Sequence, residues 1–343
     1  MVGITGVWPQ TLETSPDGFL MVPSDHEPPS ATGSRASSAN PTRMATLYTQ
    51  HDSNIRKTWL LMTVFLVLII AVGFLFSYAY GSPGILYIAV ALSVGMNFMA
   101  YWKSDSIALA MSKAQPIQRA GHEEIYRIIE NLCITAGLPL PRIYLIPDMQ
   151  INAFATGRNA KHAAIAVTQG ALDRLEKTEL EGVLAHELSH IGNDDILVSS
   201  VTVVLAGLIS ILASFFIRMS FWSGRGRNNR EGGGGALVMI VALIAAILAP
   251  IAATMIQLAV SRKREFLADA SGALLTRYPE GLANALERIA GDQQPMRMAS
   301  NSTAHLFISN PFKGKEGTSW FTRLFLTHPP IQERIKLLRN MDI

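Results

Sequence analysis

The chain has 343 residues, of which 49% are hydrophobic and only 16% charged, against about 25% charged in an ordinary soluble protein. With a mean hydropathy of +0.25, these values exclude a mainly disordered chain and disfavour a wholly soluble one. The net charge of +3 suits basic loops at a membrane surface better than a nucleic-acid groove. A single cysteine, Cys133, excludes an intramolecular disulfide and a cysteine-based zinc cluster, and points weakly to a reducing compartment.

Residues 1–50 hold six of the seventeen prolines and six serines. With almost no apolar periodicity, this stretch is expected to be a disordered extension. It lacks a signal-peptide pattern, and Met44 opens the polar lead into the first apolar run, so a start at Met44 is one reading of the extension. From 58 to 102 no residue is charged. The run breaks at Gly81-Ser82-Pro83-Gly84, which predicts two membrane helices, about 59–80 and 85–102, near the ~20 residues that cross the hydrocarbon. A third uncharged run covers 196–217, and a fourth lies between Glu231 and Arg262 with Pro250 inside it.

Arg56 and Lys57 before the first span, with Lys103, Lys113 and Arg119 after the second, predict cytoplasmic flanks and a cytoplasmic segment 103–195. Arg262, Lys263 and Arg264 agree. Arg218, Arg225, Arg227 and Arg230 do not, so either the rule is overridden or the third and fourth segments do not fully cross. Within 103–195, Glu123–Ala136 has helical spacing, and Arg142–Ile146, 162–167 and 152–157 read as short strands.

Residues 178–190, TELEGVLAHELSH, carry the chemistry. Thr178 and Glu181 predict a capping box that starts a helix. His186 and His190, four apart, lie on one face of that helix and can bite one zinc ion. Glu187 is placed to take a proton from an attacking water. Taken alone, the pattern also fits two surface histidines on an amphipathic helix. A catalytic zinc needs a third protein ligand, and Glu265 supplies one after the fourth apolar run. Asp269, four residues on, can accept a hydrogen bond from a ligand histidine and fix its tautomer. Both motifs lie within five residues of an apolar segment, so an apolar hairpin brings them together roughly 10 Å outside the bilayer. A site inside the membrane is disfavoured, because Glu176, Lys177, Glu179, Glu181, Asp194 and Asp195 flank the histidines.

Four places in order, 152–157, 185–190, 265–270 and 327–335, make the chain resemble the HtpX-like membrane zinc metallopeptidases, relatives of the CAAX-prenyl proteases among the gluzincins. The resemblance runs from about Met44 to the end. It implies His186, His190 and Glu265 as ligands of one Zn2+ per subunit and Glu187 as catalytic base. It also implies His328 as a stabiliser of the oxyanion, with Arg334 supporting it; a capping or packing role for His328 before Pro329-Pro330 stays open. Asn152, Ala153, Phe154 and Ala155 form an edge strand that can pair with an extended substrate, or a routine sheet strand. His26, His51, His122 and His162 have no partner at ligand spacing, and His305 reads as a surface or cleft-wall residue.

The fold expected is a multi-pass α-helical membrane protein with about four transmembrane helices and a cytoplasmic α+β zincin-type metallopeptidase domain. Its parts are a disordered 1–57, two spans in 58–102, the histidine-bearing peptidase part 103–195, a helical hairpin 196–260, and a second peptidase part 261–343. The resemblance implies an endopeptidase for misfolded or damaged proteins of a bacterial inner membrane, whose partners are unfolded polypeptides and the lipid bilayer, with no nucleic acid. A site-specific CAAX-type processing peptidase, or a membrane scaffold that binds metal without hydrolysis, are the rival readings.

Overall fold

The computed structural model describes residues 13–14, 20–21, 47–225, 244, 247, 248, 250, 251, 254–256, 261–300, 302–312 and 329–343. Within the stretch expected to be disordered, Glu13–Thr14 and Leu20–Met21 form a two-residue antiparallel ladder. Helix α1 (Leu47–Tyr80) and helix α2 (Pro83–Met111) follow. Gly81 turns the chain between them in the left-handed region, at φ 62°, and Pro83 opens α2, where its missing N–H costs nothing. The two helices cross so closely that a Cβ on Gly73 would lie 2.2 Å from the Cβ of Ala89. Helix α2 continues beyond Trp102, where the apolar run ends, because Ser104, Ala108 and Leu109 are buried against the rest of the chain.

A four-stranded sheet comes next in space, in the order β1-β2-β4-β3. Its strands are β1 (Gln115–Pro116), β2 (Arg142–Ile146), β3 (Ala153–Thr156) and β4 (Ala164–Thr168). Strands β2 and β4 pair in parallel, with Arg142 opposite Ala164; β3 runs antiparallel to β4, with Phe154 opposite Ala166, and forms an edge. Helix α3 (Glu123–Ala136) connects β1 to β2 and ends at Gly137, at φ 66°. The strand expected at 162–167 begins only at Ala164. His162 instead lies in a 3-10 turn (Ala160–His162), where the side chain of Asn159 accepts its backbone N–H.

Period-2 alternation splits the sheet between two cores. Ile143, Ala153, Ala155, Ile165 and Val167 face the histidine-bearing helix and its neighbours. Ile146, Phe154, Ala164 and Ala166 face the end of α2, Val203 and Phe307. The first core is closed by α4 (Gln169–Arg174), α5 (Lys177–Gly192), α7 (Arg262–Thr276), α8 (Pro279–Gly291) and α9 (Ile331–Arg339). Helix α6 (Ile196–Arg225) leaves it and packs against both α1 and α2 in a third cluster that includes Leu61, Phe65, Leu205 and Ile209.

Among the described residues, three helical stretches are long and apolar enough to cross a membrane: Asp52–Tyr80, Pro83–Met111 and Ile196–Phe215. The fourth expected segment lies largely outside the described residues. Those of it that are described are helical, and Ile244, Leu248, Met255 and Ile256 join the cluster around α6.

Helix α5 is buried on nearly every side, and two glycines set how closely its neighbours approach. A Cβ on Gly182 would sit 2.6 Å from the Leu282 backbone nitrogen of α8. Gly272 of α7 brings that helix against α5, its hypothetical Cβ 3.0 Å from the backbone nitrogen of His186. Gly182→Ala is therefore expected to cost about 1–3 kcal/mol by forcing α5 and α8 apart, read as a lower thermal midpoint of the purified protein.

Candidate active site

Helix α5 begins two residues before the expected capping box. Its box is formed by Glu176 and Glu179, and the Glu179 carboxylate accepts the Glu176 backbone N–H at 2.8 Å. Glu179 is buried and also paired with Arg288 of α8 at 2.7 Å. That tertiary partner fixes the helix start, and Thr178 lies in the first turn with Glu181 in the second.

His186 and His190 project from one face of α5, their Nε2 atoms 3.3 Å apart. Glu265, in the first turn of α7, brings Oε1 to 3.8 Å from His190 Nε2 and Oε2 to 4.0 Å from His186 Nε2. One potential ligand atom from each of the three residues lies within 4.8 Å of the others. Four tetrahedral ligands at ~2.0–2.1 Å from zinc stand about 3.3–3.4 Å apart, close to these separations. The Nδ1 atoms point the other way, His186 Nδ1 to Asp269 at 2.9 Å and His190 Nδ1 to Asp195 at 3.2 Å. Those partners assign the protons to Nδ1. Both Nε2 lone pairs and a carboxylate then converge on one point, an arrangement that a cation satisfies.

Each carboxylate behind a histidine is itself anchored. Asp269 accepts two bonds from Arg334, from Nε at 2.8 Å and Nη2 at 2.7 Å, and Arg334 also donates to the Ile308 carbonyl. Burial disfavours the charged Asp269, but the Arg334 guanidinium and the hydrogen bonds to it outweigh burial and hold the carboxyl at about 2. Arg334, expected behind His328, thus stands behind Asp269 and His186; His328 lies outside the described residues.

Asp195 is placed by the way α5 ends. Asp194 takes the left-handed conformation, at φ 55°. The backbone N–H of Asp194 bonds to Ile191 and that of Asp195 to His190, at 3.0 Å, a Schellman turn with aspartate where glycine is usual. The turn swings the Asp195 side chain back to His190 Nδ1. Burial works against a charge on His190, but Asp195 and Glu265 outweigh it and lift its pKa to about 9.

Glu187, also buried, lines the same cleft as Ala155 of the edge strand β3. Burial pushes its carboxyl upward, helped by Glu265 and opposed by the two histidines, the direction that suits a proton acceptor near neutral pH. The cleft is walled by Ala155, by Ile196 and Ser199 of α6, and by His305 and Ile308.

Of the expected edge strand, only Ala155 reaches the cleft. The Asn152 backbone is committed to Thr168 through both its N–H and its carbonyl. The Ala153 carbonyl accepts the Ile308 N–H at 3.1 Å. Phe154 turns to the opposite face, where its ring meets Phe307 edge-on at 5.2 Å. No spacing singles out Asp195, Arg264 or Asn54; the one signal for Asp195 is the Asn193-Asp194 helix stop just before it. His305 is buried in the cleft wall.

The model of peptidase family M48 matches residues 119–342. A protease HtpX homolog of Caldanaerobacter subterraneus is 43% identical over 302 residues, covering 87% of this chain and 99% of the relative. A homolog from Syntrophobacter fumaroxidans is 49% identical over 292 residues (83% and 98%), and one from Pyrococcus furiosus is 46% identical over 288 (83% and 95%). Among solved structures, that of S. mikatae Ste24p aligns with 82% of this chain and 66% of its own, at 20% identity and a TM-score of 0.43. The chain belongs to peptidase family M48 and is a membrane metalloprotease.

Proposed function

From its place in peptidase family M48, we propose that this chain is a zinc endopeptidase of the plasma (inner) membrane that degrades misfolded or damaged membrane proteins. His186, His190 and Glu265 hold one zinc ion per chain. Bound zinc supplies Lewis-acid polarisation of the scissile carbonyl and a more acidic water. Glu187 takes the proton of the attacking water and returns it to the leaving amine. Asp269 and Asp195 keep the histidine protons on Nδ1, and Arg334 holds Asp269. The Ala155 backbone at the edge of β3 offers a short stretch for pairing with an extended substrate.

In this reading 58–102 crosses the membrane as a hairpin, and 196–260 is a transmembrane or membrane-associated helical hairpin. The parts 103–195 and 261–343 form one peptidase unit on the cytoplasmic side, and the stretch expected as an extension to residue 57 is helical from Leu47. Arg56 and Lys57 before the uncharged run 58–102, and Lys103, Lys113 and Arg119 after it, support that side.

The observation that carries the substrate class is the cleft wall. Ile196 and Ser199, which line it beside Glu187 and His190, belong to a helix long and apolar enough to span the bilayer. A site opening against a membrane helix meets polypeptide as it leaves the lipid. Detergent-purified protein given one membrane protein in folded and unfolded forms tests this, with cut sites mapped by mass spectrometry. Cuts at several sites in the unfolded form alone are expected. A single cut at one defined site, equal in both forms, would replace quality control with site-specific processing.

Zinc must displace a proton from His190, which stays protonated in the folded, metal-free chain up to about pH 9. Zinc affinity is therefore expected to rise with pH until about 9, with about one proton released from this group per zinc at neutral pH. Titration calorimetry in buffers of different protonation enthalpy reads that release directly.

A further inference from the structure

Asn54 lies near the start of α1, on a helix long and apolar enough to cross a membrane, and only 2% of it is exposed. Its amide is used at both ends. Nδ2 donates to Asp195 Oδ1 at 2.8 Å, while Oδ1 accepts from Arg264 Nη1 at 3.0 Å. Asp195 is the carboxylate that receives His190 Nδ1 on its other oxygen, and Arg264 directly precedes Glu265. One side chain of this helix thus bridges the carboxylate behind His190 and the arginine that precedes Glu265.

The bridge has a direction. Arg264 carries only donors, so it pins the Asn54 carbonyl oxygen toward itself and leaves Nδ2 toward Asp195. Held at Oδ1, the Asp195 carboxylate cannot rotate away from the imidazole. Asn54 also stands between Arg264 and Asp195, whose nearest approach given by Nε is a long 3.7 Å. Asp195 therefore remains an acceptor for His190 and does not close onto the guanidinium in a bidentate pair.

We infer that Asn54 is a positioning residue of the metal site, through which the first membrane helix fixes the orientation of His190 by way of Asp195. This rests on the proposed zinc ligation by His186, His190 and Glu265. Coupling of this kind places the seating of α1 in the lipid in direct mechanical contact with the metal-binding face of α5.

The test uses the full chain in detergent and reads zinc affinity by chelator competition, together with the visible spectrum of the cobalt-substituted protein. Asn54→Leu is expected to weaken zinc binding about 10–100-fold, the usual effect of losing a partner behind a ligand histidine, and to alter the cobalt spectrum. Asn54→Asp, nearly equal in volume, is expected to weaken it as well, because two carboxylates then face each other. The exchange Asn54→Asp with Asp195→Asn restores the bonds that link residue 54 to Arg264 and to residue 195, and residue 195 to His190, with the polarity reversed; only the long 3.4 Å donation to the Asp194 carbonyl is lost. The carboxylate introduced on α1 would accept from Arg264 and from the amide introduced beside His190, whose oxygen receives His190 Nδ1. Recovery of affinity and spectrum in the double variant is the result expected. Wild-type affinity and spectrum in both single Asn54 variants would overturn the inference, as would a double variant no better than the singles. A wild-type chain that binds no zinc would instead overturn the ligand assignment itself, and this inference with it.

Discussion

Replacing Glu187 by Gln is expected to leave one zinc ion bound and to slow peptide hydrolysis by about 10²–10⁴-fold, the range a positioned proton acceptor contributes. The amide keeps the volume of the carboxylate, so the packing of buried α5 against its neighbours is expected to hold. What is lost is basicity, which burial and the nearby Glu265 enhance in the native carboxylate. His186→Ala or Glu265→Ala behaves differently, losing activity together with zinc. Single-turnover cleavage of a fluorogenic peptide, run alongside metal analysis, separates the two cases. Undiminished turnover in Glu187→Gln would sink the mechanism.

The second large effect is expected at Arg334, the bulkiest wholly buried side chain among the described residues. Arg334→Leu removes both donors from Asp269 and leaves that carboxylate buried beside His186 without its cation. Breaking a buried pair from one side typically costs about 3–5 kcal/mol. Arg334→Lys does not repair it, since an ammonium cannot match the two parallel bonds at 2.8 and 2.7 Å. Both variants are expected to unfold at lower temperature than the native protein and to bind zinc more weakly, because His186 loses its fixed partner. Thermal unfolding of the zinc-free protein isolates the structural cost. An Arg334→Leu protein as stable as the native one would show that Asp269 finds another partner.

Much of this arrangement is legible in the sequence because it is local. Helix Glu123–Ala136 and strand Arg142–Ile146 follow from apolar spacing and occupy the predicted bounds. The convergence of His186, His190 and Glu265 follows from two four-residue spacings next to apolar segments. Where the structure departs, the reason is a partner distant in sequence. Glu179 starts α5 because Arg288 meets it from 109 residues away. Helix α2 outruns its apolar stretch because Ser104 and Ala108 find burial against other elements. Asn54 reaches Asp195 across 141 residues, and no periodicity announces such a pair. Arg334 stood out only through family likeness, and its contact with Asp269 comes from the packing of α9 beside α7.

The ligand set is the centre of this account, and X-ray absorption at the zinc edge tests it most directly. On the full chain, reconstituted with one equivalent of zinc, the account predicts two imidazole nitrogens and oxygen ligands at about 2.0–2.2 Å, with no sulfur. Zinc should wash out of His190→Ala and Glu265→Ala alike, as is expected of His186→Ala. A spectrum unchanged by both substitutions, or a native chain from which zinc dialyses freely, would contradict it.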